Sequence, residues 1–479
     1  MENLNTMLPG NPRYQPKQMI PVFGYDNLYK KVAQVEIAAL ETLGEMKIIP
    51  LKDFKKLTRE VKQKLLNIKT SEVDIVEREI THHDIRAWVR CAQKILDKDV
   101  ARWVHIPLTS YDALDTARIL QFREAYEISI KPSLGRVVDI FSKLVEENSG
   151  KIQIGRTHGQ HALPITVGFW LATILNRVVY NWEKLDYFCD NLTGKISGAV
   201  GAHNAQFGLG FSFKKSQNDF EKKLLEKLNL KPAPISTQIL PPEQLGYFLF
   251  SCISLSAVLG QFGRDARHLM RSEIGEIVES FEKGQVGSST MAHKRNPINF
   301  ENLEGMWLRN KNEFGKVLDN FISEHQRDLV GSSMMRDYPI ILINLQQQLN
   351  TLLKENKSGE TFLERLSINE EICKLNFQKN ANVILAEPLY IALQMAGYSG
   401  DAHELVNHEL VPEAQKKKCS MIDVLNDMAK KDKKIKILIS KIEPEILKLF
   451  KNPQNYIGDA KKKSLEIIKN AKKISNKLI

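Results

Sequence analysis

Cysteine is scarce in this chain of 479 residues: Cys91, Cys189, Cys252, Cys373 and Cys419 are scattered without CxxC spacing. That excludes a zinc-ribbon or disulfide framework and predicts reduced thiols. No apolar run is expected to reach the roughly 18 residues of a membrane span. The first residues, Met1 to Thr6, lack the basic and apolar segments of a secretory signal. Repeats and low-complexity tracts are absent from the sequence as well. These absences predict a cytoplasmic protein with no membrane partner.

What remains is an ordinary globular composition, 43% hydrophobic and 26% charged, long enough for two or three domains. The net charge of +11 is spread as lysines along helical segments and thickens after residue 414. Solvated helix faces account for that pattern, and no nucleic-acid partner is expected.

Proline placement carries the architecture. The chain runs without proline from Ile165 to Lys231, from Glu243 to Asn296 and from Ile298 to Tyr338. Apolar residues recur there at helical spacing, as in Trp170, Ile174, Val178 and Leu185, or Leu249, Ile253, Ala257 and Phe262. The fold predicted is all-α, with three helical domains (1–108, 109–364 and 365–479), the middle one a bundle of long helices.

Five polar segments stand out. Gly287 to Glu301 (GSSTMAHKRNPINFE) sets hydroxyls, a cation, an amide and a carboxylate in a glycine-loosened loop. Asn296-Pro297 reads as an N-cap followed by proline at the first helical position, so a helix is predicted from Pro297. Its free N–H groups and Lys294 suit an anion. Gly155 to His161 (GRTHGQH) puts His158 in a glycine-flanked turn, where an imidazole suits general acid–base work. The His158/His161 spacing lacks a third clustered ligand, so no metal is expected. Thr81 to Asp84 (THHD) and Leu108 to Asp112 (LTSYD) resemble ligand-binding turns, although such short polar side chains also cap helices, and Ser110 or Asp112 alone is more often structural. Arg327 to Arg336 (RDLVGSSMMR) supplies two guanidiniums and hydroxyls, fit for a carboxylate or phosphate or for surface salt bridges.

Taken together, the GSSTMAHKRNP, GRTHGQ and LTSYD segments resemble the signature regions of the fumarase/aspartase superfamily. Within it the chain is similar to the adenylosuccinate lyase family, through Arg13-Tyr14, THHD, Gly194 to Gly201 (GKISGAVG), Pro234 to Gln238 (PISTQ) and the Arg327/Ser332/Arg336 spacing. Leu385 to Leu389 and Asn455 to Gly458 resemble bacterial members of that family.

The resemblance implies a homotetramer whose active sites are shared between subunits, and cofactor-free anti-elimination of fumarate from adenylosuccinate and from SAICAR. It makes Ser288 the base, His158 the acid and Glu301 the carboxylate partner of that histidine, with Lys294 and Asn296 stabilising the carbanion. Arg13, Tyr14, Arg327, Ser332 and Arg336 match nucleotide and phosphate contacts. His83, Asp84, Thr109, Ser110 and Gln238 match contacts to the succinyl group and base, and Thr157 and Lys195 are lesser candidates. Ala292 departs from the family, which usually has proline there. The freed dihedral predicts that Ala292→Pro raises kcat/KM. The nearest alternatives are another lyase of the superfamily, such as argininosuccinate lyase, or a cycloisomerase. A non-enzymatic helical scaffold or nucleic-acid binder, suggested by the charge of +11, is the alternative from a different class.

Overall fold

The computed structural model describes Leu8 and residues 15–211, 219–279 and 294–479. Helices form its body, as the proline-free stretches predict. In the N-terminal layer, α1 (Lys30–Glu45) and α2 (Asp84–Ile95) bury Val32, Val35, Leu40, Ile85, Trp88 and Val89 on one face each. Next comes α3 (Ser110–Ala125), which passes through a wide turn at Tyr126–Ile130 directly into α4 (Lys131–Asn148). Pro132 lies in the first turn of α4, where its missing N–H costs little, and the wide turn just before it lets the helical path run on.

A hairpin follows, β1 (Ile152–Thr157) antiparallel to β2 (Gln160–Thr166), with Thr157 opposite Gln160 and Ile152 opposite Thr166. His158 and Gly159 make its two-residue turn with φ of 52° and 78°. Positive φ at both positions is what the right-handed twist of a tight hairpin requires, and His-Gly supplies it. The three long helices are α5 (Val167–Asp190), α6 (Pro242–Leu269) and α7 (Ile298–Asp319), joined by the short α8 (Val330–Met335) and by α9 (Pro339–Leu352). Beyond them, α10 (Glu370–Gln378) packs on β1 and begins the C-terminal layer, and α11 (Ala460–Leu478) closes the chain.

Close approach of α6 and α7 depends on two glycines. A Cβ on Gly263 would stand 2.5 Å from the Phe300 carbonyl oxygen, and one on Gly260 would stand 2.8 Å from the Trp307 Cβ. A ladder of rings, Phe141, Phe262, Phe300 and Phe362, then crosses the bundle with centroids 5.1–5.8 Å apart. By length and composition α6 could cross a membrane, with a mean hydropathy of 1.6 over its best window, which the sequence reading did not anticipate. Two-thirds of that window is buried among the other helices, as in a core helix.

Among the described residues, buried apolar side chains form two cores. The larger joins the N-terminal layer to the bundle and includes Ile468, Ala471, Ile474 and Leu478 of α11. The smaller runs from Phe377 to Phe450 and takes in Ile154 of the hairpin. Thus α11, which falls within the region 365–479 expected as a separate domain, lies against α4 and α5.

Candidate active site

The hairpin tip carries His158 on a braced support. Behind it, Arg156 donates from Nη2 to Glu276 Oε1 at 2.6 Å and from Nη1 to Oε2 at 3.1 Å. Glu276, fully buried, also accepts from Gln153 Nε2 at 2.8 Å and from Asn376 Nδ2 at 3.0 Å. One carboxylate therefore ties β1 to α10 with four hydrogen bonds, two of them to a guanidinium fork. The neighbouring His161 meets Asn380 Nδ2 through Nδ1 at 3.0 Å. Burial and the Arg156 charge lower its pKa, favouring neutral imidazole. His158 and Thr157 are exposed, and among the described residues neither is bonded to another expected site residue.

A second group is interlocked. The Arg327 guanidinium lies 3.3 Å from the centre of the Tyr111 ring, in cation–π geometry. Its Nη1 donates to Gln238 Oε1 at 2.8 Å and its Nη2 reaches Ser332 Oγ at 3.4 Å. The Tyr111 and Ser332 hydroxyls pair at 3.1 Å. Three segments distant in sequence thus meet at one arginine. Tyr111 and Ser332 also line a cleft of about 700 Å³ together with Asp84, Arg118 and Arg336. Most of its remaining wall is apolar or aromatic, including Phe23, Tyr25, Tyr29, Leu114 and Phe122. Burial first, and then the Asp84 charge, push the Tyr29 phenol well above its usual pKa, so it stays a neutral donor. At the rim, His83 Nδ1 lies 3.1 Å from Asp84 Oδ1. Thr109 and Ser110 begin α3 beside Tyr111, half-buried.

The third group sits where α7 begins. Lys294 and Glu301 are exposed and Asn296 is half-buried. The helix starts at Ile298, one residue later than predicted, because Pro297 holds ψ at 57°, outside the helical range. Asn296 does not cap it with its side chain; its carbonyl accepts from Ile298 N–H at 2.9 Å. Asn299 instead reaches back from Nδ2 to Oε1 of the buried Glu279. Burial lifts the Glu279 carboxyl to about 6, against the opposing effect of the Asn299 bonds.

Arg13, Tyr14, Ser288 and Ala292 lie outside the described residues. Lys195, read as a lesser contact, is sealed in the interior against Asp112. Tyr111 was quoted within the LTSYD segment without being singled out. Glu276 and Glu279 were missed entirely; no local spacing marks an acid whose partners lie about a hundred residues away or that is simply buried.

A protein-family profile described as "Lyase" matches residues 27–309. Adenylosuccinate lyase of Pyrococcus horikoshii is 33% identical over 96% of both chains, and that of Archaeoglobus fulgidus is 31% identical over 96% of this chain and 98% of its own. The Bacillus subtilis enzyme of the same name is 32% identical over 80% of this chain and 83% of its own. The chain belongs to the adenylosuccinate lyase family. Solved structures give the same architecture at lower identity. The 3-carboxy-cis,cis-muconate lactonizing enzyme of Pseudomonas putida superposes with a TM-score of 0.77 at 21% identity, over 96% of this chain and 98% of its own. A fumarate lyase of Mesorhizobium also superposes at 0.77, with 20% identity over 95% and 98%. These two establish the fold shared by this adenylosuccinate lyase family member and leave its chemistry to the site.

Proposed function

We propose that this protein is an adenylosuccinate lyase, a carbon–nitrogen lyase that releases fumarate from adenylosuccinate to leave AMP and from SAICAR to leave AICAR. The observation that carries the reading is the Arg327–Tyr111–Ser332–Gln238 cluster, at the edge of an aromatic-walled cleft that also bears Arg336 and Asp84. Guanidiniums and a hydroxyl suit a phosphate, and the rings suit a purine. That combination favours a nucleotide over the argininosuccinate alternative.

In this reading Ser288, as the alkoxide, takes the proton from the succinyl β-carbon. The electron pair left behind forms the fumarate double bond, the C–N bond breaks, and His158 gives a proton to the departing nitrogen. Charge builds on the neighbouring carboxylate, where Lys294 and Asn296 at the start of α7 offset it. Glu301 holds the histidine protonated. Arg13, Tyr14, Arg327, Ser332 and Arg336 bind the nucleotide and phosphate; His83, Asp84, Thr109, Ser110, Thr157 and Gln238 hold the base and succinate. Proton transfer and charge stabilisation complete the reaction, so no cofactor or metal is assigned.

The same reading makes the protein a cytoplasmic homotetramer of three-domain subunits with sites shared between copies. Two observations support the sharing. His158 stands on its hairpin without a described partner. The bundle helices also turn large apolar side chains outward: Tyr180 and Tyr187 on α5, Tyr247 and Phe250 on α6, and Leu308 and Leu318 on α7, all more than 40% exposed. Large apolar side chains turned outward on neighbouring helices suit a surface that another subunit covers. Ultraviolet absorbance on mixing purified protein with adenylosuccinate tests the activity. Fumarate release is expected, and its absence at micromolar enzyme would overturn the assignment.

A further inference from the structure

Asp112 is fully buried one residue beyond Tyr111, and its two oxygens are oversubscribed. They accept from Thr109 N–H at 2.8 Å, Ser197 N–H at 3.1 Å and Gly198 N–H at 3.2 Å, and Oδ1 is paired with the ammonium of Lys195, itself without exposure. The backbone of Lys195 is held as well, its N–H and carbonyl both bonded to Thr116 Oγ1. Glu221 fixes the next residue by accepting Ile196 N–H at 2.7 Å. The segment 194–198 is therefore locked to the start of α3 with almost no freedom.

From that segment contacts reach onward to the loop before Gln238, where the Gly194 carbonyl accepts from Ala233 N–H at 2.9 Å. Ser197 Oγ pairs with Ser236 Oγ at 2.6 Å. Gly201, at φ 76°, lets the same two loops close, since a Cβ there would stand 2.0 Å from the Ser236 carbonyl oxygen. Two residues after Ser236 comes Gln238, whose N–H bonds the Gln326 carbonyl and whose side chain takes Arg327. Arg327 lies on Tyr111, which adjoins Asp112. The path closes on itself.

We propose that Asp112, Lys195 and Ser197 are positioning residues, which set the Thr109–Tyr111 turn in register with the Gln238–Arg327 pair through the Ser197–Ser236 bond. This rests on the reading of the cleft as the adenylosuccinate site. None of the three needs to touch substrate. A buried ion pair with full hydrogen bonding fixes geometry better than it adds stability, which suits the task.

Asp112→Asn would leave Lys195 without its counter-charge and can unfold the chain, so the test uses the serines. Ser197→Ala is expected to raise KM for adenylosuccinate by about tenfold with kcat within about twofold, the worth of one lost hydrogen bond. Ser236→Ala should do the same, and the double variant should be no worse than either, because both remove one contact. Hydrogen exchange of the amides at 236–240 should quicken in Ser197→Ala without any substrate present. Additive KM effects, or a KM within twofold of wild type, would overturn the proposal. So would unchanged exchange at 236–240. A drop in melting temperature with KM unmoved would make the bond merely structural. Faster exchange in Ser197→Ala alongside a wild-type protein that never releases fumarate would refute the activity and leave the linkage standing.

Discussion

The cleft around Arg327 and the tip of the β1–β2 hairpin are built on opposite principles. Beside the cleft Arg327 is stacked on Tyr111 and bonded to Gln238 and Ser332, so the chain assembles this cluster by itself. At the tip the bracing lies entirely behind the functional group. Glu276 holds Arg156 and Gln153 rigidly while His158 faces outward at φ 52° with no described partner. A rigid mount under a bare imidazole is what presenting a group to a site formed elsewhere requires. The contrast teaches that the sequence motifs mark two kinds of structure, one a pocket and one a probe.

Breaking the probe should have the largest effect. His158→Ala is expected to lower kcat by about 10²–10⁴-fold, the usual worth of a general acid, with melting temperature unchanged because the tip is exposed. Steady-state fumarate release and a thermal melt check both halves of that statement. Removing the mount should instead cost stability: Glu276→Ala strands Arg156 in a buried site and should destabilise by roughly 3–5 kcal/mol in urea or thermal unfolding. Activity should fall with it, since the hairpin would lose its link to α10. In the cleft, Arg327→Lys keeps the charge but loses the fork and the stacking, and should raise KM about tenfold with a smaller change in kcat.

The smallest effect concerns the start of α7. Glu279 has a folded pKa of about 6, above its ordinary 4.5, so the folded state holds the proton more tightly than the unfolded chain does. Its stabilising contribution is complete below the ordinary value and is lost as pH rises through about 6. Glu279→Gln, a mimic of the protonated form, should match wild type at low pH and exceed it by on the order of 1 kcal/mol at pH 7.5, measured by denaturant midpoints. A variant that tracks wild type across the range would show that the carboxyl ionises freely.

The bundle was legible because long helices announce themselves by periodicity and missing proline; α5 and α7 fall inside the proline-free stretches, and so does α6 apart from its first residue, Pro242. The continuous path from α3 into α4 was not, because Pro132 looks like a break until the wide turn before it is seen. The hairpin was read only as a glycine-flanked turn, although His158-Gly159 carries the two positive φ angles of a tight hairpin turn in plain sight. At the site Arg327, Ser332 and Gln238 converge; the first two share one segment, whereas Gln238 entered only through the family resemblance. Glu276 could not be found that way: its meaning comes from Gln153, Arg156 and Asn376, which the fold alone brings to it.

Subunit complementation tests the central claim most directly. His158→Ala and Ser288→Ala proteins, each inactive alone, are mixed under conditions that exchange subunits and then assayed for fumarate release from adenylosuccinate. The account predicts that activity reappears in the hybrids, because the hairpin of one copy serves a site carrying Ser288 of another. Hybrids confirmed by mass and still inactive would contradict it and place the whole site within one chain.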